Sequence, residues 1–251
     1  MCRLLLCVGD FDVREMVDAA VAMACGRTAT HEGPVRVHPN GWGAVWSAPD
    51  APHLRTHRDV RPIEESVGES PLIGLRSTFL AIHTRHATLP TNHGLEFTHP
   101  LERAGDFPWY FMHNGFMPTV YRRLGLPASR FDSLEYFDYI VPPGAEALDP
   151  VETLTRLRAV PTGGTSGNAI AVNLNAAYVV HWSPADNDRP IYFGMSRLDR
   201  PGATIVSSEI IPALGAVDRW TPLPTDHVLE LPLPAAATAS RPEGERQHVR
   251  V

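Results

Sequence analysis

Strand-like and helical segments follow one another along this chain in an order that restricts the fold class. Apolar runs with strand character occur in both halves of the chain, and two successive helical runs separate them. The strand-like runs are 2–8, 44–46, 78–84, 109–112, 169–174, 178–182, 190–195, 204–207 and 227–231, and the helical runs are 13–24, 132–141 and 150–160. This order predicts an α+β domain built of packed layers.

Capping signals place the ends of the helical runs. Asp10 and Asp12 are suited to cap a helix that begins at Val13, and Gly26 is a plausible stop for it. A proline, Pro150, opens the last helical run, where its missing N–H costs nothing. The sequence therefore predicts an amphipathic helix directly after the first strand and another before the second group of strands.

Chain length and composition indicate one domain. The chain has 251 residues, of which 43% are hydrophobic, and this is enough for one substantial core. From about Pro232 onward the sequence becomes rich in proline and alanine and then charged. We therefore expect a domain over 1–231 and a flexible, solvated C-terminal tail over 232–251.

Charge and cysteine content restrict the partners and the compartment. The formal net charge is −6 and the arginines form no basic stripe, which argues against a nucleic-acid partner. Three cysteines, at positions 2, 7 and 25, form neither an even disulfide set nor a zinc-type pair of doublets. No stretch approaches the roughly 18 apolar residues of a membrane span, and no charged segment precedes the first apolar run. We expect a cytoplasmic enzyme that acts on small molecules.

Cys2 follows the initiator methionine directly. Removal of Met1 would place a thiol and a free α-amine on one residue, and their reference pKa values of about 8.5 and about 7.7 to 8.0 favour proton exchange between them. All 22 basic residues are arginine, so this α-amine would be the only aliphatic amine of the chain. The alternative is that Cys2 is simply a small buried residue that begins the first strand.

Clusters of polar residues follow two of the predicted strands. One is 83–88, with the sequence His-Thr-Arg-His-Ala-Thr, and the other is 113–115, with the sequence His-Asn-Gly, where we expect the strand to stop. Taken singly, each has a structural explanation: Asn-Gly is a common turn dipeptide, Arg85 could form a surface salt bridge, and Asp132 could cap a helix. A metal site among the histidines is disfavoured, because His83 and His86 on an extended segment would face opposite sides.

The ordered set of motifs resembles the class II glutamine amidotransferases, which are N-terminal-nucleophile glutaminases. The set is Cys2, the 40–43 turn Asn-Gly-Trp-Gly, the two polar clusters and the pair Asp132-Ser133. Arg3, the segment 206–209 and Trp220 look more like the stand-alone branch, similar to the ergothioneine-pathway γ-glutamyl amidohydrolase. The resemblance implies a four-layer αββα sandwich with mostly antiparallel sheets.

The resemblance also implies a reaction. The thiolate of Cys2 would attack the side-chain carbonyl of a γ-glutamyl amide, and water would resolve the resulting γ-glutamyl thioester. Asn114 would stabilise the oxyanion through its side-chain NH₂, and Gly115 through its backbone N–H. Arg85 would bind the substrate α-carboxylate with a bidentate fork, and Asp132 would bind the α-ammonium group.

Four further positions complete the implied substrate site. Thr88 would add a hydroxyl near the carboxylate, His113 lies beside the oxyanion donors, Trp42 would form an aromatic floor, and Gly43 would let the backbone approach. No cofactor and no metal are implied.

Three functions are compatible with these residues. The leading interpretation is a free-standing amidohydrolase that removes a γ-glutamyl group from a small metabolite. An alternative is the glutaminase subunit of a biosynthetic enzyme pair, which would deliver ammonia or another amine to a separate synthase partner. A third is a catalytically silent protein that binds γ-glutamyl ligands or a protein partner. The sequence indicates neither the leaving amine nor the oligomeric state.

Overall fold

Twelve strands and four α-helices make up the described part of the protein. The computed structural model describes residues 2–29, 33, 35–49, 51–89, 91–185, 187 and 189–234. The strands are β1 (Arg3–Gly9), β2 (Trp42–Trp46), β3 (Arg55–Asp59), β4 (Phe79–Thr84), β5 (Leu101–Arg103), β6 (Trp109–Phe116), β7 (Ser166–Val172), β8 (Ala176–His181), β9 (Ser196–Arg200), β10 (Ala203–Ser207), β11 (Thr221–Pro222) and β12 (His227–Pro232). The helices are α1 (Val13–Ala24), α2 (Ile63–Ser66), α3 (Asp132–Ile140) and α4 (Pro150–Arg158).

The strands form two antiparallel sheets that pack face to face between helices. One sheet has seven strands in the order β11-β9-β10-β1-β4-β2-β3, and the other has five in the order β12-β8-β7-β6-β5. Helix α1 packs on the outer face of the larger sheet, whereas α3 and α4 pack on the smaller sheet, where the rings of Phe111 and Phe137 stack at 4.9 Å. A third apolar cluster fills the space between the sheets. The predicted α+β, four-layer αββα sandwich is confirmed.

The alternation of side chains along β1 assigns each residue to a layer. Leu4 and Leu6 belong to the cluster between the sheets, whereas Leu5 and Cys7 belong to the cluster beneath α1. Successive side chains of a strand point to opposite faces, so a strand buried on both sides reads as a continuous apolar run. Full burial of each leucine contributes about 1.5–3 kcal/mol. These contacts fix the register of the strand that begins immediately after Cys2.

Local capping explains the helix ends, as the sequence predicts. The side chain of Asp12 accepts a hydrogen bond from the backbone N–H of Arg14 at 2.8 Å, and Gly26 lies just past the end of α1 with φ of +69°. At α4, Asp149 accepts from the N–H of Glu152 at 2.8 Å, and Pro150 occupies the first turn.

Two predictions about strands were wrong. Strand β6 does not stop before His113 but continues to Phe116, and Asn114 and Gly115 pair with Asn168 and Gly167 of β7. The Asn-Gly dipeptide is therefore part of a sheet, because a neighbouring strand satisfies its backbone. The predicted strand 190–195 consists of turns, and the strand in this region is β9, which starts one residue later.

The C-terminal end of the described chain lies close to the predicted domain boundary. Strand β12 ends at Pro232, and the N–H of Leu233 donates to the carbonyl of Asn175 at 2.8 Å. The predicted tail beyond residue 234 lies outside the described residues. No helix in the described ranges is long and apolar enough to span a membrane.

Candidate functional site

The candidate site lies where the core between the two sheets reaches one end of the sandwich. Cys2 lies just before β1 and two residues before Leu4, and Asn114 lies on β6 two residues after Met112. Because Leu4 and Met112 belong to the cluster between the sheets, Cys2 and Asn114 continue the inner faces of their sheets. A cavity of about 30 Å³ lies beside Cys2. Of the predicted site residues, it is lined by Cys2, Arg85, Thr88, His113, Gly115 and Asp132. A larger cavity, of about 1100 Å³, lies at the opposite end of the strands.

The thiol of Cys2 differs sharply from the other two thiols. Its side chain is 9% exposed, and its S–H is directed at the carbonyl of His86, 3.9 Å away. Burial by itself raises the pKa of the Cys2 thiol, but the charge of His83 and a hydrogen bond between His83 and the thiolate lower it to about 6. By contrast, burial raises the pKa of Cys7 to about 12 and raises that of Cys25 as well. Near neutral pH, Cys2 is therefore the thiolate of the three.

Asn114 carries a buried amide without hydrogen bonds. The residue is fully buried, and neither Nδ2 nor Oδ1 has a partner among the described residues. Its register partner Asn168 is the opposite case, because its Nδ2 donates to the carbonyl of Phe193 at 2.6 Å and its Oδ1 accepts from the N–H of Trp182 at 3.1 Å. Buried polar groups are normally paired, so the amide of Asn114 has an unused capacity to donate.

Gly115 lies where no side chain fits. A Cβ at this position would lie 1.9 Å from the carbonyl oxygen of Ser166 and 2.8 Å from Nε2 of His113. Its φ is not in the left-handed region, so close approach of the neighbouring strand, rather than backbone conformation, requires glycine here.

The guanidinium of Arg85 is buried, and no carboxylate of the described ranges pairs with it. Its Nη1 donates to the carbonyl of Asn40 at 3.3 Å and its Nη2 to the carbonyl of Asn92 at 2.5 Å, and no acidic side chain of the described residues lies within ion-pair distance. Burial lowers the pKa of Arg85, which is only 4% exposed. A buried cation beside a cavity is stabilised by an anion that enters that cavity.

Asn40 holds this part of the site together. Its N–H donates to the carbonyl of Arg85 at 3.0 Å, and its Oδ1 accepts from the N–H of Ala87 at 3.0 Å. The sequence places Asn40 in the turn before β2 but gives no signal for these contacts or for Asn92, because they join segments far apart in the chain or depend on the path of a loop.

Asp132 is the first residue of α3 and lines the cavity from the other side. Its Oδ2 accepts from the backbone N–H of Met117 at 2.8 Å, and its Oδ1 accepts no hydrogen bond from the described residues. The N-cap of α3 is Phe131, so the capping role that the sequence leaves open for Asp132 is not the one observed. Thr88 lies on the exposed rim of the cavity.

His113 faces the helical layer. Its Nδ1 lies 2.9 Å from Oγ of Ser133, its Nε2 lies 3.1 Å from the carbonyl of Ser166, and its ring contacts Tyr136 edge to face. Both ring nitrogens are thus engaged within the protein. In the described ranges, no three histidine, cysteine or acidic side chains are grouped so that they could hold a metal ion.

The position of Trp42 does not support the aromatic floor that the sequence suggests. The ring is fully buried in the cluster beneath α1, and its Nε1 donates to Oγ of Ser66 at 2.8 Å. Alternation along β2 sends Trp42 to the helical side and Gly43 to the side between the sheets. Gly43 lies opposite His83, where a Cβ would lie 2.1 Å from the carbonyl oxygen of His99.

Comparison with solved structures places this fold among known ones. The chain is similar to the glutamine phosphoribosylpyrophosphate amidotransferase of B. subtilis complexed with ADP and GMP, with a TM-score of 0.61 and 15% identity over 92% of this chain and 49% of that one. It is also similar to an allosteric regulatory enzyme of purine biosynthesis, with a TM-score of 0.60 and 16% identity over 82% of this chain and 42% of that one.

A third structure matches over its whole length. It is a glutamine aminotransferase class-II domain protein from Silicibacter pomeroyi, with a TM-score of 0.53 and 17% identity over 93% of this chain and 100% of that one. No protein-family model and no curated protein match the sequence. This chain spans about half the length of the first two structures. The likenesses show that this chain shares the fold of these three structures.

Proposed function

We propose that this protein is an amidohydrolase of the class II glutamine amidotransferase type, which cleaves a γ-glutamyl amide through a thioester on Cys2. One observation carries the proposal: a low-pKa thiol, a buried amide without a hydrogen-bond partner among the described residues and a buried guanidinium without a carboxylate among them lie at one end of the sandwich. The amide and the guanidinium are costly to bury in a folded protein without a ligand. Together the three groups match the nucleophile, the oxyanion donor and the carboxylate anchor of the proposed reaction.

The reaction follows from these groups. The Cys2 thiolate attacks the γ-carbonyl carbon, a C–S bond forms, and the carbonyl electron pair moves onto oxygen. The Nδ2 of Asn114 and the backbone N–H of Gly115 stabilise that oxyanion. When the oxyanion collapses, the C–N bond breaks, the amine leaves with a proton, and a γ-glutamyl thioester remains. Water then attacks the thioester and releases glutamate and the thiol.

Substrate recognition uses both ends of the glutamyl zwitterion. Arg85 binds the α-carboxylate, for which its fork has the matching bidentate geometry. Asp132 binds the α-ammonium group through Oδ1, which is unused by the described residues, while its Oδ2 stays fixed on Met117. Thr88 completes the site in this proposal beside the carboxylate, and Gly43 lets the backbone around His99 approach β2 closely. His113 holds the strand that carries the oxyanion donors.

The stand-alone activity is supported by the likeness to the S. pomeroyi protein, of which the shared region covers 100% and which matches 93% of this chain. Resemblance to the ergothioneine-pathway branch rests on Arg3 and Glu209, among others, and these two form a buried ion pair at 2.5 Å. The subunit alternative is favoured by a different observation, since two of the similar structures are about twice as long as the region they share with this chain. In that function a separate partner protein would use the released amine.

The experiment is a panel of γ-glutamyl amides, including glutamine, incubated with the purified protein while glutamate release is measured. We expect release from at least one amide by the protein alone and none by the Cys2→Ala variant. Turnover that needs an added synthase would establish the subunit function instead, and full turnover by Cys2→Ala would refute the thioester. A glutamine-mimicking electrophile should add to Cys2 and to neither Cys7 nor Cys25. The intact mass should lack Met1, which lies outside the described residues.

A further inference from the structure

The carbonyl of Cys2 lies beyond the end of the β1–β10 ladder. On the side of β1 that faces β10, the N–H of Leu4 donates to Oγ of Ser208, and its carbonyl accepts from the N–H of Ser208, both at 2.9 Å. The backbone groups of a strand point alternately to its two neighbours, so the carbonyl of Cys2, two residues earlier, points to this same side. Strand β10 ends at Ser207, and its ladder with β1 therefore does not reach Cys2.

The side chain of Arg3 supplies a donor in place of β10. Its Nη1 donates to the carbonyl of Cys2 at 3.1 Å, and its Nε donates to Oε1 of Glu209 at 2.5 Å. Arg3 is fully buried and Glu209 is 5% exposed, so the ion pair is shielded from water. A guanidinium holds its N–H groups in a rigid planar fork. The bond to Glu209 therefore also sets the direction in which Nη1 points.

Separate parts of the chain hold this ion pair in place. The hydroxyl of Thr28, which follows α1, donates to Oε2 of Glu209. The backbone N–H of Glu209 donates to Oγ of Ser207 at 3.2 Å, and the ring of Tyr192 packs against Arg3, with the guanidinium carbon 4.3 Å from the ring centre. The guanidinium cannot move without loss of buried contacts, and breaking a buried ion pair is strongly destabilising.

The pair lies on the opposite face of β1 from the groups around the thiol. Arg3 shares a face with Leu5, which belongs to the cluster beneath α1. On this face lies His38, which burial and the charge of Arg3 keep neutral by lowering its pKa. The charged and titratable groups on the side of the thiol are His83, Arg85, His86, His99, His113 and Asp132. A change in the pair therefore acts on the backbone of Cys2 and leaves the residues of the substrate cavity in place.

We propose that Arg3 and Glu209 are positioning residues that hold the first residue of the mature chain. The bond to the carbonyl fixes the plane of the first peptide group, from which the Cα, the α-amine and the thiol of Cys2 extend. A strand end without such a bond frays. The inference rests on the proposed function, in which the thiol of Cys2 is the nucleophile, and it concerns the α-amine as the proton acceptor on the same residue.

Steady-state kinetics with a γ-glutamyl amide tests the pair. Arg3→Lys keeps the charge, but one ammonium group cannot hold Glu209 and the carbonyl of Cys2 in the two directions of the fork. The variant loses the position of the reacting groups and keeps the substrate contacts. We therefore expect kcat to fall about tenfold to 100-fold while KM stays within about twofold of the wild-type value.

The matched control is a second arginine–glutamate pair of the same sheet. Arg200 of β9 binds Glu15 of α1 through Nη1 at 2.8 Å and Nη2 at 2.9 Å. It lies opposite Ala203, which in turn lies opposite Gly9, at the far end of β1 from the thiol. Arg200→Lys should leave kcat and KM unchanged. An unchanged kcat in Arg3→Lys, a KM that rises as much as kcat falls, or an equal loss of kcat in Arg200→Lys would overturn the proposal.

Acetylation of the α-amine tests the same placement without substrate and with a milder substitution. The rate of acetylation by acetic anhydride is followed by mass spectrometry across pH 5 to 10 in the Cys2→Ala background, where no thiol competes at that residue. Because the chain contains no lysine, the α-amine is its only aliphatic amine once Met1 is removed. Glu209→Gln keeps the shape and hydrogen-bonding capacity of the side chain but removes an anion, and Glu15→Gln does the same at the control pair.

The two variants should separate in the pKa of the amine. An anion nearby favours the ammonium form, so its removal in Glu209→Gln should lower the pKa of the α-amine by at least about 0.5 unit. Glu15→Gln should leave that pKa unchanged. An unshifted Glu209→Gln, or an equal shift in both variants, would refute the placement. If the proposed function fails instead, no variant consumes a γ-glutamyl amide, but the acetylation shift is still present.

Discussion

Two asparagines that face each other across β6 and β7 should respond in opposite ways to the same substitution. Asn114 and Asn168 are both fully buried and in register, yet the side chain of Asn114 has no hydrogen-bond partner in the described part of the chain whereas that of Asn168 has two. A buried amide without hydrogen bonds costs about 1–3 kcal/mol. Asn114→Ala removes this cost and leaves a small void, so its free energy of unfolding should stay within about 1 kcal/mol of the wild-type value.

The control substitution removes satisfied bonds. Asn168→Ala leaves the carbonyl of Phe193 and the N–H of Trp182 buried without partners, and each such group costs about 1–3 kcal/mol, so we expect a loss of about 2–6 kcal/mol. Urea unfolding followed by tryptophan fluorescence measures both variants. In parallel, kcat for the best γ-glutamyl amide should fall about 100- to 1,000-fold in Asn114→Ala.

The two readouts together decide the role of Asn114. If Asn114 is an oxyanion donor, Asn114→Ala loses activity while its free energy of unfolding stays almost unchanged. If Asn114→Ala were as unstable as Asn168→Ala, the amide of Asn114 would be structural. If it kept wild-type kcat, the oxyanion assignment would be wrong whatever its stability.

Three further outcomes follow from the site. Arg85→Lys keeps the charge but loses the fork, so KM should rise about tenfold or more while kcat changes less, and steady-state kinetics with an unchanged KM would remove Arg85 from carboxylate binding. Gly115→Ala should lower kcat, and it should lower the free energy of unfolding by about 1–3 kcal/mol, because the added Cβ meets the carbonyl of Ser166. The control is Gly68→Ala, which should change neither quantity because no atom lies within 4 Å of a Cβ at that position. The pKa of Cys2 is lowered to about 6, so kcat/KM should decline as pH falls through 6, where the thiolate is protonated, and a decline that begins above pH 8 would contradict the thiolate assignment.

Local sequence patterns predict most of the helices and strands of the fold. The helix ends at Asp12 and Pro150 are set by neighbours in sequence, so they could be predicted, and continuous apolar runs such as β1 and β4 report a strand buried on both faces. The errors arose where tertiary contacts override local preference. The aromatic run around Tyr192 has strand composition, but Arg3 packs over its ring at 4.3 Å and the segment folds into turns instead.

For the candidate site, the motifs predict which residues take part, but they do not predict on which face of its sheet each side chain lies, because that depends on the pairing of the strands. The neighbours of Trp42 in the turn predict that it lies at the site, but alternation along β2 buries it on the helical side. The sequence presents His83 only as part of a histidine-rich segment, because its hydrogen bond with the carbonyl of His113 joins β4 to β6, which is distant in sequence. The roles of the remaining site residues stay predictions.

The parity of β1 has a consequence for how this chain can change. Cys2 and Cys7 are an odd number of positions apart, so the pleat directs one sulfur between the sheets and the other toward α1. Deletion of one residue between them would turn the first sulfur to the helical side, or else slip the strand and expel its leucines. Substitutions within this strand are therefore tolerated more readily than insertions or deletions. A one-residue insertion should abolish the reactivity of the Cys2 thiol, although every sequence motif of the site would still be present.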